Sequence, residues 1–137
     1  MTGNKAIIDS NVIIDAVRNL VDIEKSIFQF KHVYISLITY IEVLGYNFKD
    51  ENEKLLTEQL LGMFEIINPD IEIADLTVGY RKVKKIKVPD ALILATARKF
   101  EAKLLTSNIP DFTNIDDKVS VIKPIYLRPG QTRTNKK

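Results

Sequence analysis

Short apolar segments that alternate with stretches of helical spacing constrain the fold of this chain more than any other feature. The short segments indicate strands, and the stretches between them repeat their apolar residues along one helical face. The predicted strands cover residues 5–9, 32–35, 65–67, 103–106 and 119–122. The predicted helices cover residues 12–20, 23–30, 36–48, 52–64, 73–86 and 88–102. This alternation predicts an α/β fold with a parallel sheet.

Length and composition are those of one globular domain. The 137 residues include no cysteine and one histidine, which excludes disulfides, thiolate zinc sites and multi-histidine metal sites. The last ten residues hold four of the 20 basic side chains and no acid, so residues 1–127 carry 16 basic and 18 acidic side chains. We expect a single domain over residues 1–127 and a basic, disordered tail over residues 128–137. Any nucleic acid would have to meet a local basic patch.

No targeting or membrane-spanning segment is expected. The first apolar stretch is interrupted by Asp9, Asn11 and Asp15 and lacks a cleavage-site pattern. No apolar run approaches the length of about 20 residues that spans a bilayer. We therefore expect a cytoplasmic protein without membrane contact.

Acidic residues lie near the carboxyl ends of the predicted strands, where parallel sheets bind their ligands. Asp9 directly follows the first strand, and Ser10 or Asn11 starts the next helix. Glu42 lies about two turns into the helix after the second strand, and Asp90 opens the helix before the fourth. The polar residues after the fourth strand are Thr106, Ser107, Asn108 and Asp111. A carboxylate such as Asp9 at this edge could hold a hard metal ion.

Each acid also has an ordinary structural interpretation. Asp9 could only cap the first helix, and Asp90 could only favour a helix start. Glu42 could face water on a helical stripe that also contains Thr39, Tyr46 and Lys49. The polar residues after the fourth strand could be ordinary turns. Taken singly, these residues leave both interpretations open.

Four short motifs occur in a specific order along the chain. They are Ile8-Asp9-Ser10-Asn11-Val12, Glu42 in a helix, Pro89-Asp90-Ala91-Leu92-Ile93, and Leu105-Thr106-Ser107-Asn108-Ile109-Pro110-Asp111-Phe112. Their order and spacing resemble those of the PIN domain, and more narrowly those of the small, single-domain VapC-type toxin nucleases. The resemblance extends from Lys5 to about Ile125.

The resemblance implies a three-layer sandwich in which helices flank a five-stranded parallel sheet, with an acidic pocket at its carboxyl edge. Asp9, Glu42 and Asp90 match three acids of a pocket that binds Mg²⁺ or Mn²⁺ in the family. We expect Asp9 and Asp90 to bind the metal directly, and Glu42 and Asn108 to act through water or at a second ion. Asn108 is neutral where many relatives have a fourth acid. Asp111 either supplies the missing charge or only shapes the loop.

The same resemblance gives three further residues supporting roles. Ser10 keeps the hydroxyl of the threonine that is common after the first acid. Asn11 matches an asparagine that orients Asp9. Thr106 matches the threonine of the family's Thr-x-Asp/Asn segment.

The resemblance also implies an activity and partners. Family members are typically metal-dependent ribonucleases, and a metal held by carboxylates suits phosphodiester hydrolysis. The expected partners are an RNA substrate, a protein antitoxin and a second copy of the chain in a homodimer. Two alternatives stay open: an RNA-binding or scaffolding PIN domain with little catalysis, and a non-nuclease α/β domain whose acids are caps and surface charges.

A run of five cations lies shortly before Asp90. Within residues 81–87 the apolar positions are Val83 and Ile86, and both are expected to face inward. The predicted RNA-backbone contacts are Arg81, Lys84, Lys85 and Lys87. A solvated helix face is the alternative interpretation.

Overall fold

Residues 4–128 are the part of the chain that the computed structural model describes. The strands are β1 (Lys5–Ile8), β2 (His32–Ser36), β3 (Glu65–Ile67), β4 (Lys103–Leu105) and β5 (Val121–Ile122). The helices are α1 (Ser10–Val17), α2 (Ile23–Ser26), α3 (Leu37–Leu44), α4 (Glu51–Leu61), α5 (Ile71–Val83) and α6 (Val88–Phe100). A 3-10 turn, Ile109–Asp111, lies between β4 and β5. Apart from Arg128, the predicted tail lies outside the described residues.

The five strands form one sheet in the order β3-β2-β1-β4-β5, and every neighbouring pair is parallel. The strand order reverses between β1 and β4, which is the position where open α/β sheets bind ligands. In the register of this pair, Ile8 lies opposite Leu105. The residues that follow these two strands, Asp9 and Thr106, therefore emerge side by side. The predicted α/β fold with a five-stranded parallel sheet is confirmed.

Helices cover both faces of the sheet, because successive side chains of a strand point to opposite sides. Ile8 of β1 and Leu105 of β4 pack with buried residues of α1 and α4. Ile7 and Leu104, their neighbours along the same strands, pack with buried residues of α5 and α6. The result is the predicted three-layer arrangement, with one apolar core on each side of the sheet.

Several helices end earlier than predicted. α1 stops short because Asn19 has a φ of 64°, a left-handed conformation that a helix does not continue through. α5 ends three residues early because the backbone at Lys84 is extended. As a result Val83, predicted to face inward, is 77% exposed, whereas Ile86 is buried as predicted. α3 also ends before residue 48, and α2 is a single turn. Within residues 4–128 no helix is both long enough and apolar enough to cross a membrane.

Candidate active site

Asp9 lies immediately after β1, at the carboxyl edge of the sheet. Its backbone N–H donates to the carbonyl of Leu105 at 2.9 Å, which extends the pairing with β4 by one residue. Its side chain is only 4% exposed, and its Oδ1 accepts a hydrogen bond from the N–H of Ser10 at 2.8 Å. Asp9 is therefore the cap of α1, and it is also a buried carboxylate at the ligand-binding edge of the sheet. The two interpretations of this residue are compatible.

The second carboxylate oxygen of Asp9 is held by two side chains. The Thr106 hydroxyl donates to Oδ2 at 2.7 Å, and Nδ2 of Asn11 donates to the same atom at 3.2 Å. The Oδ1 of Asn11 accepts from the N–H of Ser107 at 3.3 Å, which joins the loops after β1 and β4. Burial raises the pKa of Asp9 above its usual value, although these hydrogen bonds act in the opposite direction. The network fixes the orientation of the carboxylate.

Asp90 lies in the first turn of α6 and is half-buried. Burial, followed by the negative charges of Asp9, Asp111 and Glu42, raises its pKa to about 6. The charge of Lys87 acts in the opposite direction. Like charges raise a carboxyl pKa in this way only when they lie near one another. The structure thus brings Asp90 to the same edge of the sheet as Asp9.

Glu42, on α3, is the most exposed member of the predicted trio. Burial of its carboxyl group and the charge of Asp9 raise its pKa, whereas a side-chain hydrogen bond with Ser10 lowers it. One turn earlier, Thr39 is fully buried, and its hydroxyl has no hydrogen-bond partner among the described residues. The interpretation of this helical stripe as a solvated face is therefore wrong at Thr39. The other three residues of the stripe, Glu42, Tyr46 and Lys49, are exposed.

Asp111, rather than Asn108, contributes the fourth negative charge near Asp9 and Asp90. The negative charge of Asp111 raises the pKa of both Asp9 and Asp90. Asn108 is exposed and makes two hydrogen bonds through its backbone: its N–H donates to the Thr106 hydroxyl at 3.0 Å, and its carbonyl accepts from the N–H of Asp111 at 3.0 Å. The fourth negative charge near the cluster therefore belongs to Asp111, at the end of the 3-10 turn and three residues after Asn108.

The donor set of this edge fits a hard divalent cation. The negative charges of Asp9, Asp111 and Glu42 all act on Asp90, and together with burial, which is the larger cause, they raise its pKa to about 6. Oxygen ligands suit Mg²⁺ and Mn²⁺. Within residues 4–128, however, no three acidic or histidine side chains converge closely enough to enclose an ion.

The basic run borders the acidic cluster, as its position before Asp90 predicted. Cations of the basic run and two acids of the cluster line the same cleft, which has a volume of about 550 Å³. Its lining consists of Arg81, Lys84, Lys85, Ile86, Lys87, Asp90, Pro110 and Asp111. Larger cavities lie elsewhere, at the ends of α1 and α4 and between α5 and α6, and contain none of the predicted site residues.

A buried ion-pair cluster at the far end of α6 was not predicted. The Asp116 side chain is 4% exposed and accepts two hydrogen bonds from Arg98, at 2.8 and 3.0 Å, and one from the Tyr80 hydroxyl. Arg98 lies eight residues after Asp90, which is about 12 Å along the helix. These contacts join α5 and α6 to the connection before β5. The sequence carries no signal for them because the partners lie 18 and 36 positions from Asp116.

Comparison with protein families decides the identity of the fold. The family model described as the PIN domain matches residues 6–118, most of the chain. The chain belongs to the PIN domain family. Membership agrees with the nuclease class that the sequence predicts, and no curated protein sequence matches the chain.

Solved structures of similar fold come from toxin–antitoxin systems. A chain of a toxin–antitoxin complex from Klebsiella pneumoniae is 35% identical to this PIN domain, with a TM-score of 0.70 over 83% of this chain and 94% of that one. A chain of VapBC2 from Rickettsia felis, bound to a promoter DNA fragment, is 21% identical, with a TM-score of 0.71 over 88% and 98% of the two chains. A chain of FitAcB from Neisseria gonorrhoeae is 24% identical, with a TM-score of 0.68 over 85% and 96%. The predicted resemblance to VapC-type PIN domains is confirmed.

Proposed function

We propose that this PIN domain is a metal-dependent endoribonuclease that hydrolyses RNA phosphodiester bonds. The observation that carries the proposal is the cluster of four carboxylates at the switch point of the sheet, beside a cleft lined by cations. A cluster of this kind repels itself unless a cation neutralises it. Phosphodiester hydrolysis uses such a cation, and the neighbouring lysines suit the negatively charged backbone of the substrate.

In this proposal Asp9 and Asp90 hold the metal directly. Asp9 is buried and is oriented by Thr106 and Asn11, so its carboxylate would be held in place to bind the metal. Glu42 completes the site directly or through water, and Asp111 takes the fourth position in place of Asn108. Bound Mg²⁺ or Mn²⁺ neutralises charge on the phosphate and lowers the pKa of an attacking water.

We further propose that the protein is the toxin of a type II toxin–antitoxin pair. The support is its 35% identity to a chain of a toxin–antitoxin complex, which extends over 94% of that chain. A small protein antitoxin is the corresponding partner. A second copy of the chain, in a homodimer, is the other proposed partner.

An RNA cleavage assay with metal omission tests the activity. The wild-type protein should cut single-stranded RNA when Mg²⁺ or Mn²⁺ is present and should be inactive with a chelator. The Asp90→Asn variant should be inactive in both conditions while keeping its fold. A DNA strand of the same sequence shows whether the activity is confined to RNA.

The alternative of an RNA-binding PIN domain without catalysis predicts a different pattern. Wild type and Asp90→Asn would then bind RNA equally and leave it intact at every metal concentration. Isothermal titration with Mn²⁺ separates the remaining alternative, in which the acids are only caps and surface charges. In that case Asp9→Asn would leave metal binding unchanged, whereas under the ribonuclease proposal the substitution abolishes it.

A further inference from the structure

The basic run before Asp90 contains two cations whose side chains donate hydrogen bonds to backbone carbonyls of the protein. Nη1 of Arg81 donates to the carbonyl of Ile86, five residues further along the chain. Nζ of Lys84 donates to the carbonyl of Thr113 at 3.3 Å, just after the 3-10 turn. These contacts tie the connection between α5 and α6 to the end of α5 on one side and to the loop after β4 on the other. Both cations therefore help to fix the position of this connection.

The other two cations of the cleft, Lys85 and Lys87, make no such backbone contact among the described residues. Lys85 and Lys87 are exposed on either side of the buried Ile86, whose side chain anchors the connection in the core. Neither ammonium donates a hydrogen bond to the residues that the structure describes. Both line the cleft that ends at Asp90 and Asp111. Their charges are thus presented to the cleft on a connection whose position is already fixed.

We propose that Lys85 and Lys87 contact successive phosphates of a single RNA strand that lies in this cleft, whereas Arg81 and Lys84 hold the connection in place. This inference rests on the proposed ribonuclease function and specifies how its substrate is positioned. The backbone is extended at Lys84 and at Lys87, and two residues along an extended chain span about 7 Å. The two lysines of the proposed contact line the same cleft of about 550 Å³ as Asp90 and Asp111, so a strand bound at these lysines lies next to the acids.

The arrangement also explains how the substrate reaches the acids. Four carboxylates at one edge repel a phosphate backbone, and fixed cations beside them offset that repulsion. A strand held at Lys85 and Lys87 brings its next phosphate toward Asp90. Their contribution should therefore appear both in affinity and in its dependence on salt, because each phosphate contact releases counterions.

Salt-dependent binding of a single-stranded oligoribonucleotide tests the assignment. All proteins carry Asp90→Asn, so that the RNA stays intact, and they differ at the lysines. Lys85→Gln with Lys87→Gln should weaken binding and reduce the slope of log affinity against log salt by about 1.4, since each contact to a single strand contributes about 0.7. The charge-conserving pair Lys85→Arg with Lys87→Arg should keep the slope. Circular dichroism and thermal unfolding verify that every variant is folded.

Lys82→Gln is the matched control, because Lys82 is an exposed lysine of the same run that does not line the cleft. It should leave the slope unchanged. An unaltered slope in the double Gln variant, or an equal loss in Lys82→Gln, overturns the assignment. If one of these results is obtained but the wild-type protein, with Asp90 intact, cleaves RNA in the presence of Mg²⁺, only the lysine assignment is wrong. If the wild-type protein neither binds nor cleaves RNA, the ribonuclease proposal fails and this inference fails with it.

Discussion

The Thr106 hydroxyl and the Asp9 carboxylate are joined by a hydrogen bond of 2.7 Å, although 97 positions separate the two residues. The contact exists because β1 and β4 are parallel neighbours in register, so the residues that follow them emerge side by side. Thr106 is fully buried and also accepts a hydrogen bond from the N–H of Asn108. One hydroxyl therefore links the central carboxylate of the candidate site to the loop that carries Asp111.

Thr106→Val should destabilise the protein by about 1–3 kcal/mol, because it leaves a buried carboxylate oxygen and a backbone N–H without their partner. It should also weaken Mn²⁺ binding by about tenfold, since Asp9 loses the group that orients it. Thr106→Ser keeps the hydroxyl and is the control. Denaturant unfolding and Mn²⁺ titration measure the two effects. Equal stability and equal affinity in the Val and Ser variants would show that the hydrogen bond has no such role.

Asp90→Asn should stabilise the metal-free protein above about pH 6. The folded-state pKa of Asp90 is raised from 3.8 to about 6, so folding favours its protonated form. The free energy of unfolding therefore falls as pH rises from about 4 to 6, and the whole penalty is present above that range. Because Asp90 is only half-buried, solvent screening limits the penalty to about 1–2 kcal/mol.

Thermal or denaturant unfolding as a function of pH, with a chelator present, measures this effect. The Asn variant should lose part of the pH dependence between about 4 and 6. Added Mg²⁺ or Mn²⁺ should stabilise the wild type and not the variant, because a ligand stabilises only the state that binds it. A variant that is less stable than the wild type at neutral pH, with an unchanged pH profile, would contradict the raised pKa of Asp90.

Periodicity and composition were sufficient to predict the order of the elements, the parallel sheet and the position of Asp9 at the end of β1. The helix ends were not predictable to the residue. The run of lysines after α5 has helical spacing, but the backbone at Lys84 is extended, so Val83 faces water instead of the core. A charged sequence favours a solvated helix and a solvated loop equally well, and tertiary contacts of Arg81 and Ile86 decide between them.

The candidate site was predictable in its chemistry but not in its full membership. The sequence offered both Asn108 and Asp111 for the fourth position. Only the 3-10 turn between them brings the charge of Asp111 to bear on Asp9 and Asp90. Turn geometry of this kind depends on how the loop packs, and spacing alone does not specify it.

Asp111→Asn should reduce the affinity for Mn²⁺ more than Asn108→Ala does. Removing the charge of Asp111 should also lower the pKa of Asp90, because Asp111 is one of the charges that raise it. Mn²⁺ titration measures the affinity, and NMR titration of the side-chain carboxyl measures the pKa. If Asn108→Ala has the larger effect on affinity and Asp111→Asn leaves the pKa unchanged, the fourth position belongs to Asn108.

Asp116→Ala should destabilise the protein by about 1.5–3 kcal/mol without altering the candidate site. The substitution removes the charged hydrogen bonds with Arg98 and the hydrogen bond from Tyr80. Arg98 lies about 12 Å from Asp90 along α6. Denaturant unfolding measures the loss. The pKa of Asp90 and the Mn²⁺ affinity should be unchanged, and a shift in either would mean that the two ends of α6 act on each other.

Cleavage of a single-stranded RNA near neutral pH, by wild type and Asp90→Asn with Mg²⁺, Mn²⁺ or a chelator, tests most directly whether this acidic edge is a metal-dependent ribonuclease site. We predict cleavage by the wild type in the two metal conditions, none with the chelator, and none by Asp90→Asn in any condition. Equal cleavage by both proteins, or cleavage that persists with the chelator, would contradict a catalytic role for this carboxylate cluster.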